Sequence, residues 1–287
     1  MADRPAPMNT IDLARHLTDE LTPLLGAGET RSVTRLVLED LFGARPGHRP
    51  RVLTQEEQLL AWTTINRLKA GEPTQYVTGI ADFYGLQLTV TPAVLIPRPE
   101  TEELVEWILE ENAPGTPLRV LDVGTGSGCI ALALKHKRPE WTVEALDVSK
   151  DALRIARANA TKLDVEVLFH HLNVLQPGLG LPTAGYNLIV SNPPYIPPSE
   201  RQQMGASTLA HEPGLALFVP ENDPLLFYGR IAEEGQELLP PTGRLYAETN
   251  EFNNDSVVTL FSRLGYKNVS VRKDLRGKPR MVSATKS

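Results

Sequence analysis

One cysteine, Cys129, is all the thiol chemistry that this chain of 287 residues carries. Its solitude excludes an intramolecular disulfide and any multi-cysteine zinc site, and suits a reducing compartment. No run approaches the roughly 20 apolar residues of a membrane span. The polar, proline-containing stretch 1–9 lacks the apolar core of a secretory leader, so a cytoplasmic protein is expected. Basic excess is missing as well. Lys and Arg number 29 against 35 Asp and Glu, a formal charge of -6, which opposes a chain-wide grip on nucleic acid. No Gly-Lys-Ser/Thr triplet occurs, so a nucleoside triphosphate loop is not supported. What remains is an ordinary globular mix, 41% hydrophobic and 22% charged, at a length that favours two unequal domains.

The 24 prolines fall in clusters and mark joints rather than repeats. Before them the texture is helical. Ile11, Leu17, Leu21 and Leu24 are read as one face behind a cap at Asn9 or Thr10, ending at Gly26. A second helix from Thr30 carries Val33, Leu36, Val37 and Leu41 and stops at Gly43. Thr54 and Glu57 form a capping-box pattern ahead of Leu60, Trp62, Ile65 and Leu68. Over 75–96 the period changes to alternation through Phe83, Leu86, Leu88 and Val90, which predicts a strand pair. A helix over 100–111 follows, with Leu104, Val105, Ile108 and Leu109 on one side. Strands then alternate with helices: strands over 119–123, 143–147, 165–169, 186–191 and 244–248, helices over 129–137, 150–163 and 225–239. Such alternation implies a mostly parallel sheet covered on both faces, and the strand pair over 267–271 and 280–284 an antiparallel edge.

The first of those strands runs into Gly124-Thr125-Gly126-Ser127-Gly128, where glycine permits a tight turn and close approach of a ligand to the backbone. The spacing is G-x-G-x-G rather than the dinucleotide G-x-G-x-x-G, because Cys129 stands where the third glycine would be. Asp147 closes the next strand, where a carboxylate can accept from both ribose hydroxyls. A nucleoside cofactor without a pyrophosphate fits this pair, and S-adenosylmethionine is the natural candidate. The bland alternative is a plain strand-to-helix turn with Asp147 capping the helix that starts at Lys150; Asp122 separately reads as either a turn-stabilising carboxylate or a contact for the cofactor's ammonium group.

The most specific segment is Ser191-Asn192-Pro193-Pro194-Tyr195, at the end of the apolar run Leu188-Ile189-Val190. Two prolines cannot extend a ladder, so the chain must leave the sheet at Asn192, beside the crevice where open α/β sheets place ligands. A planar NH2 group is a poor nucleophile because its lone pair is delocalised. Two acceptors, the Asn192 side-chain oxygen and the Pro193 carbonyl, could hold it in line with a methylsulfonium carbon and stabilise the charge that develops. Tyr195 could stack on the planar target.

Residues 121–128, Asp147 and 192–195 resemble the cofactor and target motifs of class I S-adenosylmethionine-dependent amino-methyltransferases. Gly71-Glu72-Pro73 through Tyr76 and Gly79, then Leu95-Ile96-Pro97-Arg98-Pro99-Glu100-Thr101-Glu102, are similar to what precedes the catalytic domain in the protein-glutamine methyltransferases that modify peptide chain release factors. The resemblance implies an α/β fold, a Rossmann-like seven-stranded methyltransferase sheet preceded by a small all-α N-terminal domain and a β-hairpin linker. The expected boundaries are a substrate-recognising helical domain over 1–74, the linker over 75–96 and the methyltransferase domain over 97–287. It implies S-adenosyl-L-methionine against Asp122, Gly124, Thr125, Gly126, Ser127, Gly128, Asp147, Asn173, Val174 and Asn192. It also implies methylation of the glutamine side-chain amide in the Gly-Gly-Gln motif of class 1 peptide chain release factors, with Asn192, Pro193, Pro194 and Tyr195 as catalytic and substrate-binding residues. Two departures stand out. Family members often carry an acidic residue near the adenine where this chain reads His171-Leu172-Asn173, and Glu248 is followed by Thr249-Asn250 where glycine is more usual, so that loop is assigned no role.

Other conspicuous residues read as structural. His170 and His171 are neighbours on a strand, point to opposite faces and cannot share a metal, and no metal is expected. Cys129 opens a helix, where a thiol pKa could fall, but packing under the loop is the stronger reading. Glu212-Pro213 lies in a long segment that could be a lid or a plain loop, and Arg98 and Glu100 could hold the linker or only cap a helix. The basic stretch 267–280 reads as a solvated edge. Partners expected are a release factor as substrate, no stable nucleic-acid complex, no membrane and no second copy. The rivals are amino-methylation of a nucleic-acid base (DNA adenine or rRNA guanine), glutamine methylation of a ribosomal protein, and a non-catalytic binding module.

Overall fold

The computed structural model describes residues 8–45 and 47–287. Residues 1–7, most of the polar start, and Pro46 in the turn-rich stretch after Gly43 lie outside them. Helix α1 (Thr10–Phe42) opens on a capping box: the Asn9 side chain accepts from the backbone N–H of Ile11 and Asp12 at 2.8 and 3.0 Å, and Asp12 returns the bond to the Asn9 N–H. Gly26, at φ 77°, breaks the helical path, which is the stop expected there. Helices α2 (Gln55–Lys69) and α3 (Thr74–Thr78) complete the local run, and α2 carries the Thr54–Glu57 box. The buried faces differ in part from those expected. In α1 the expected Leu17 and Leu21 are buried together with Leu13, while Ile11 and Leu24 are exposed; in α2 the expected Ile65 and Leu68 are buried, with Ala61 beside them and Leu60 and Trp62 exposed. Spacing of i, i+4 keeps a stripe on one face, whereas Ile11 lies two residues, about 200°, from Leu13.

Strands β1 (Ile80–Phe83) and β2 (Leu86–Thr89) form a two-stranded hairpin turned at Tyr84 and Gly85, with Phe83, Leu86 and Leu88 buried. Helix α4 (Pro99–Glu111) starts on a proline, whose fixed φ and missing N–H suit a first turn, and buries the expected Leu104, Val105, Ile108 and Leu109. Then come β3 (Arg119–Val123), α5 (Cys129–Lys137), β4 (Thr142–Asp147), α6 (Lys150–Leu163), β5 (Leu168–His171) and β6 (Leu188–Ser191). A 3-10 turn (Pro198–Gln203) and two short helices, α7 (Ala206–His211) and α8 (Gly214–Leu217), precede α9 (Leu226–Leu238), β7 (Arg244–Glu248), α10 (Asn254–Arg263), β8 (Lys267–Lys273) and β9 (Pro279–Thr285). The chain folds as two compact units: one runs to Ile80 and includes Gly205–His211, the other comprises Ala81–Met204 and Glu212–Ser287.

The second unit is built on a seven-stranded sheet of order β5-β4-β3-β6-β7-β9-β8, parallel up to β7, with β9 antiparallel to both of its neighbours. This is the doubly wound layout expected. Order reverses at β3, which has β4 on one side and β6 on the other, so a crevice opens at the carboxyl ends of these strands. One face packs under α4 and α5 through Leu104, Ile108, Ala131 and Leu134, the other under α9 and α10 through Tyr228, Ile231, Val257 and Phe261. Strand β5 starts three residues later than expected. Asp164 adopts a left-handed C-cap at φ 53°, and the Val165 N–H bonds back to Ala160, so 164–166 is spent leaving the helix.

Glu144 in β4 is a buried carboxylate of this sheet with several partners. Arg119 reaches it at 2.5 and 2.9 Å, His170 at 2.7 Å and Tyr186 at 3.0 Å. Burial alone would raise its carboxyl, but these bonds hold it below the usual range. The stabilisation is therefore present above the ordinary carboxylate range and lost as pH falls through it. Arg119→Ala, which strands a buried carboxylate, is expected to cost about 3 kcal/mol and to move acid unfolding to higher pH, measured by urea titration across pH. Among the described residues no helix is long and apolar enough to cross a membrane.

Candidate active site

The crevice is a cleft of about 1130 Å³, counted out to its open mouth. Three strand ends supply its floor: Val123 to Ser127 after β3, Leu146 to Ser149 after β4, and Ser191 to Pro194 after β6. Leu172, Asn173 and Val174 follow β5, and Thr101, Cys129, Leu215 and Phe227 add walls. Separate sequence motifs thus meet in one place because parallel strands all discharge their carboxyl ends on the same edge.

The glycine loop is held by its own backbone. Gly124 and Thr125 donate to the Leu146 carbonyl at 2.9 and 3.0 Å, and the Gly126 N–H donates to Asp147 Oδ2 at 2.9 Å. Gly126 has φ 55°, and a Cβ built there would meet no protein atom within 4 Å, so open space lies beside the backbone where a ligand can approach. Gly128 is different: it does not line the cleft, and a Cβ there would lie 3.0 Å from Leu132 and 3.3 Å from Ala156, so this glycine serves helix packing. Asp147 also accepts from the Ser149 N–H at 2.8 Å, and burial raises its carboxyl against these bonds. Each oxygen retains a further lone pair for a hydroxyl.

Asp122 stands behind the loop, fully buried and outside the cleft lining. Its Oδ2 takes the Thr125 hydroxyl at 2.7 Å and the Ala131 N–H at 3.3 Å, and Oδ1 has no hydrogen-bond partner among the described residues. Burial pushes the carboxyl up to about 7. Cys129 borders the cleft, but burial and then the Asp122 charge push its thiol up to about 12, the reverse of an activated nucleophile. Asn173 lines the cleft with Oδ1 accepting from the Leu175 N–H at 3.0 Å.

At the exit of β6 the Ser191 hydroxyl donates to the Val123 carbonyl at 2.7 Å and pins the strand end. Asn192 Nδ2 donates to Thr101 Oγ1 at 3.0 Å, and Thr101 Oγ1 donates to Glu248 Oε2 at 2.6 Å. The Asn192 Oδ1 and the Pro193 carbonyl accept from no protein group among the described residues. Tyr195 does not line the cleft; its ring packs against the apolar cluster that includes Ile189 and Tyr228, and burial raises its hydroxyl above the usual range.

The sequence matches the methyltransferase small domain family over residues 101–216. It is 40% identical over 278 residues to a release factor glutamine methyltransferase of Bacteroides thetaiotaomicron, covering 96% of this chain and 99% of the relative. A release factor glutamine methyltransferase of Streptococcus pneumoniae is 43% identical over 253 residues, 88% of each chain. The chain belongs to the release factor glutamine methyltransferase family. Its fold is also that of a solved methyltransferase from Pyrococcus furiosus, at a TM-score of 0.52 and 18% identity, over 82% of this chain and 100% of the other.

In this family member Thr101 and Glu248, which the sequence motifs contain without a site role, stand with Asn192 in one chain of hydrogen bonds. The available signal was Glu248 itself, a carboxylate closing the apolar run Leu245-Tyr246-Ala247, since a charge buried at a strand end demands a partner. Arg98 pairs with buried Glu212 at 2.5 Å, and Glu212 also accepts from the Ile96 N–H at 3.3 Å, so the residues before Pro213 are anchored rather than a plain loop. His170 is bonded to Glu144, and His171 to the Val148 carbonyl at 2.9 Å. In the basic C-terminal stretch Arg272 pairs with Glu110, Lys278 with Glu251 and Arg280 with Asp274.

Proposed function

We propose that this protein methylates the side-chain amide nitrogen of the glutamine in the Gly-Gly-Gln motif of class 1 peptide chain release factors, with S-adenosyl-L-methionine as methyl donor. The single observation that carries the reading is the pair of unengaged acceptors at the β6 exit, Asn192 Oδ1 and the Pro193 carbonyl, in the cleft that also holds the glycine loop. The residues fit the donor. Open space beside Gly126 admits a ligand against the backbone, Asp147 offers carboxylate lone pairs to a ribose, and Asn173 and Val174 would flank the base.

When bound, S-adenosylmethionine supplies an electrophilic methyl group whose transfer to the amide nitrogen breaks the carbon–sulfur bond and leaves neutral S-adenosylhomocysteine. The chain's part is orientation and electrostatics. Asn192 and Pro193 would accept the two amide hydrogens, fix the plane of the carboxamide and stabilise positive charge growing on nitrogen. Alkylation makes that nitrogen acidic, so its extra proton passes along one of the same bonds to water and no strong base is required. Burial of Tyr195 makes it a prop for the strand exit. The helical unit would recognise the release factor, working in the cytoplasm.

The test is incubation with a release factor and methyl-labelled S-adenosylmethionine, followed by peptide mapping. Label is expected on the Gly-Gly-Gln peptide. Label on DNA, rRNA or a ribosomal protein, with none on that peptide, would overturn the substrate assignment.

A further inference from the structure

We infer that Thr101 and Glu248 are positioning residues that set the polarity of the Asn192 carboxamide, keeping its oxygen toward the substrate amide and its nitrogen away. The inference deepens the proposed methyl transfer and rests on that reading.

Topology brings the three together. Ser191 and Ala247 face one another in the parallel ladder of β6 and β7, so Asn192 and Glu248 leave adjacent strands at the same level. Thr101, 2% exposed in the first turn of α4, sits between them, 3.0 Å from Asn192 Nδ2 and 2.6 Å from Glu248 Oε2. The direction of this chain of bonds follows from donor counting. An ionised carboxylate only accepts, so the single hydroxyl proton of Thr101 goes to Glu248, and the Thr101 oxygen is left only as an acceptor. Asn192 can satisfy it only with NH2, which turns Oδ1 to the other side. An amide that rotated by 180° would present two hydrogens to a substrate that itself presents two hydrogens.

The instruction depends on the charge of Glu248. A protonated Glu248 can donate to Thr101, which frees the Thr101 hydroxyl to donate to Asn192 Oδ1 and admits the wrong rotamer. Glu248 is 3% exposed. Burial first, and then the charge of Glu100, push its carboxyl up to about 7, against the Thr101 bond and the positive charges of Arg280 and Arg98. The other titratable groups around it are Tyr195 from the β6 exit, Tyr228 from α9, whose hydroxyl donates to the Glu248 backbone carbonyl at 3.0 Å, and Cys129 from α5. All three have raised pKa values and stay neutral across the range in which Glu248 titrates. Because the ionised form is the active one, kcat should rise with pH through about 7.

Thr101→Val keeps the shape and removes the hydroxyl. It is expected to lower kcat by about 10²-fold on a Gly-Gly-Gln release factor with the KM for S-adenosylmethionine unchanged, and Thr101→Ser should restore most of the loss. Glu248→Gln should flatten the rise of kcat near neutrality. In the free protein, the Asn192 side-chain NH2 resonances, assigned by their loss in Asn192→Ala, should titrate with pH in the wild type and not in Glu248→Gln. Wild-type kcat in Thr101→Val, or a pH profile unchanged in Glu248→Gln, would overturn the inference. A wild type that carries the NMR titration but transfers no methyl group to the release factor would instead overturn the assigned reaction and take the catalytic part of this proposal with it.

Discussion

Asn192→Ala should lower kcat by about 10³-fold while the dissociation constant for S-adenosylmethionine stays within about twofold of wild type. The side chain supplies one of the two acceptors left open at the β6 exit, and its other end is already spent on Thr101. Removing it takes away a contact that strengthens as charge builds on nitrogen, together with the alignment of the carboxamide. The side of the cleft proposed for the cofactor, made by the glycine loop and Asp147, is untouched. Single-turnover assays with saturating cofactor and calorimetric titration of the cofactor separate the two quantities. Turnover at the wild-type rate would remove the mechanism, and weakened cofactor binding would place Asn192 in the wrong half of the site.

Asp147→Ala should do the reverse. The expected result is about a 10²-fold rise in the dissociation constant for S-adenosylmethionine or S-adenosylhomocysteine, with kcat at saturation reduced far less. One carboxylate has two parts in the proposed site: it accepts from the Gly126 N–H at 2.9 Å, which holds the loop over open space, and it would offer lone pairs to ribose hydroxyls. Hydrogen bonds to a charged acceptor are each worth about 1.5–3 kcal/mol, so the net loss of one to two such contacts to the ribose gives an effect of this order. Asp147→Asn, which keeps an acceptor oxygen but not the charge, should fall between. Unchanged affinity in the alanine variant would move the nucleoside elsewhere in the cleft.

Much of the architecture was legible because it depends on short-range rules. Apolar runs marked β3, β6 and β7, the first closed by glycine and the second by proline, and caps marked the helix starts at Asn9 and Thr54. Errors came where two periodic templates compete. In α1, both Ile11 and Leu13 are apolar, and only packing against Leu17 and Leu21 chooses Leu13. Strand β5 began late because the left-handed turn at Asp164 used residues whose composition reads as strand. Tyr195 is expected against the substrate because an aromatic beside Asn-Pro-Pro suggests stacking; in the fold it is partly buried against the apolar cluster beneath α9, a contact that only the tertiary structure supplies. Gly128 was grouped with the ligand loop on spacing, and the nearness of Leu132 and Ala156 assigns it to packing.

By itself the sequence determined the class of sheet, the two strand exits that matter and the kinds of atoms offered there, since glycine permissiveness, proline's missing N–H and the acceptors of Asn and Asp are properties of single residues. Only the tertiary structure decided which way those atoms are turned. Thr101, Asn192 and Glu248 are far apart along the chain, and the polarity of one amide depends on a hydroxyl and a carboxylate that meet it only when α4, β6 and β7 pack together. Hydrogen-bond direction is a property of a network, and a network exists only once its members are within 3 Å of one another.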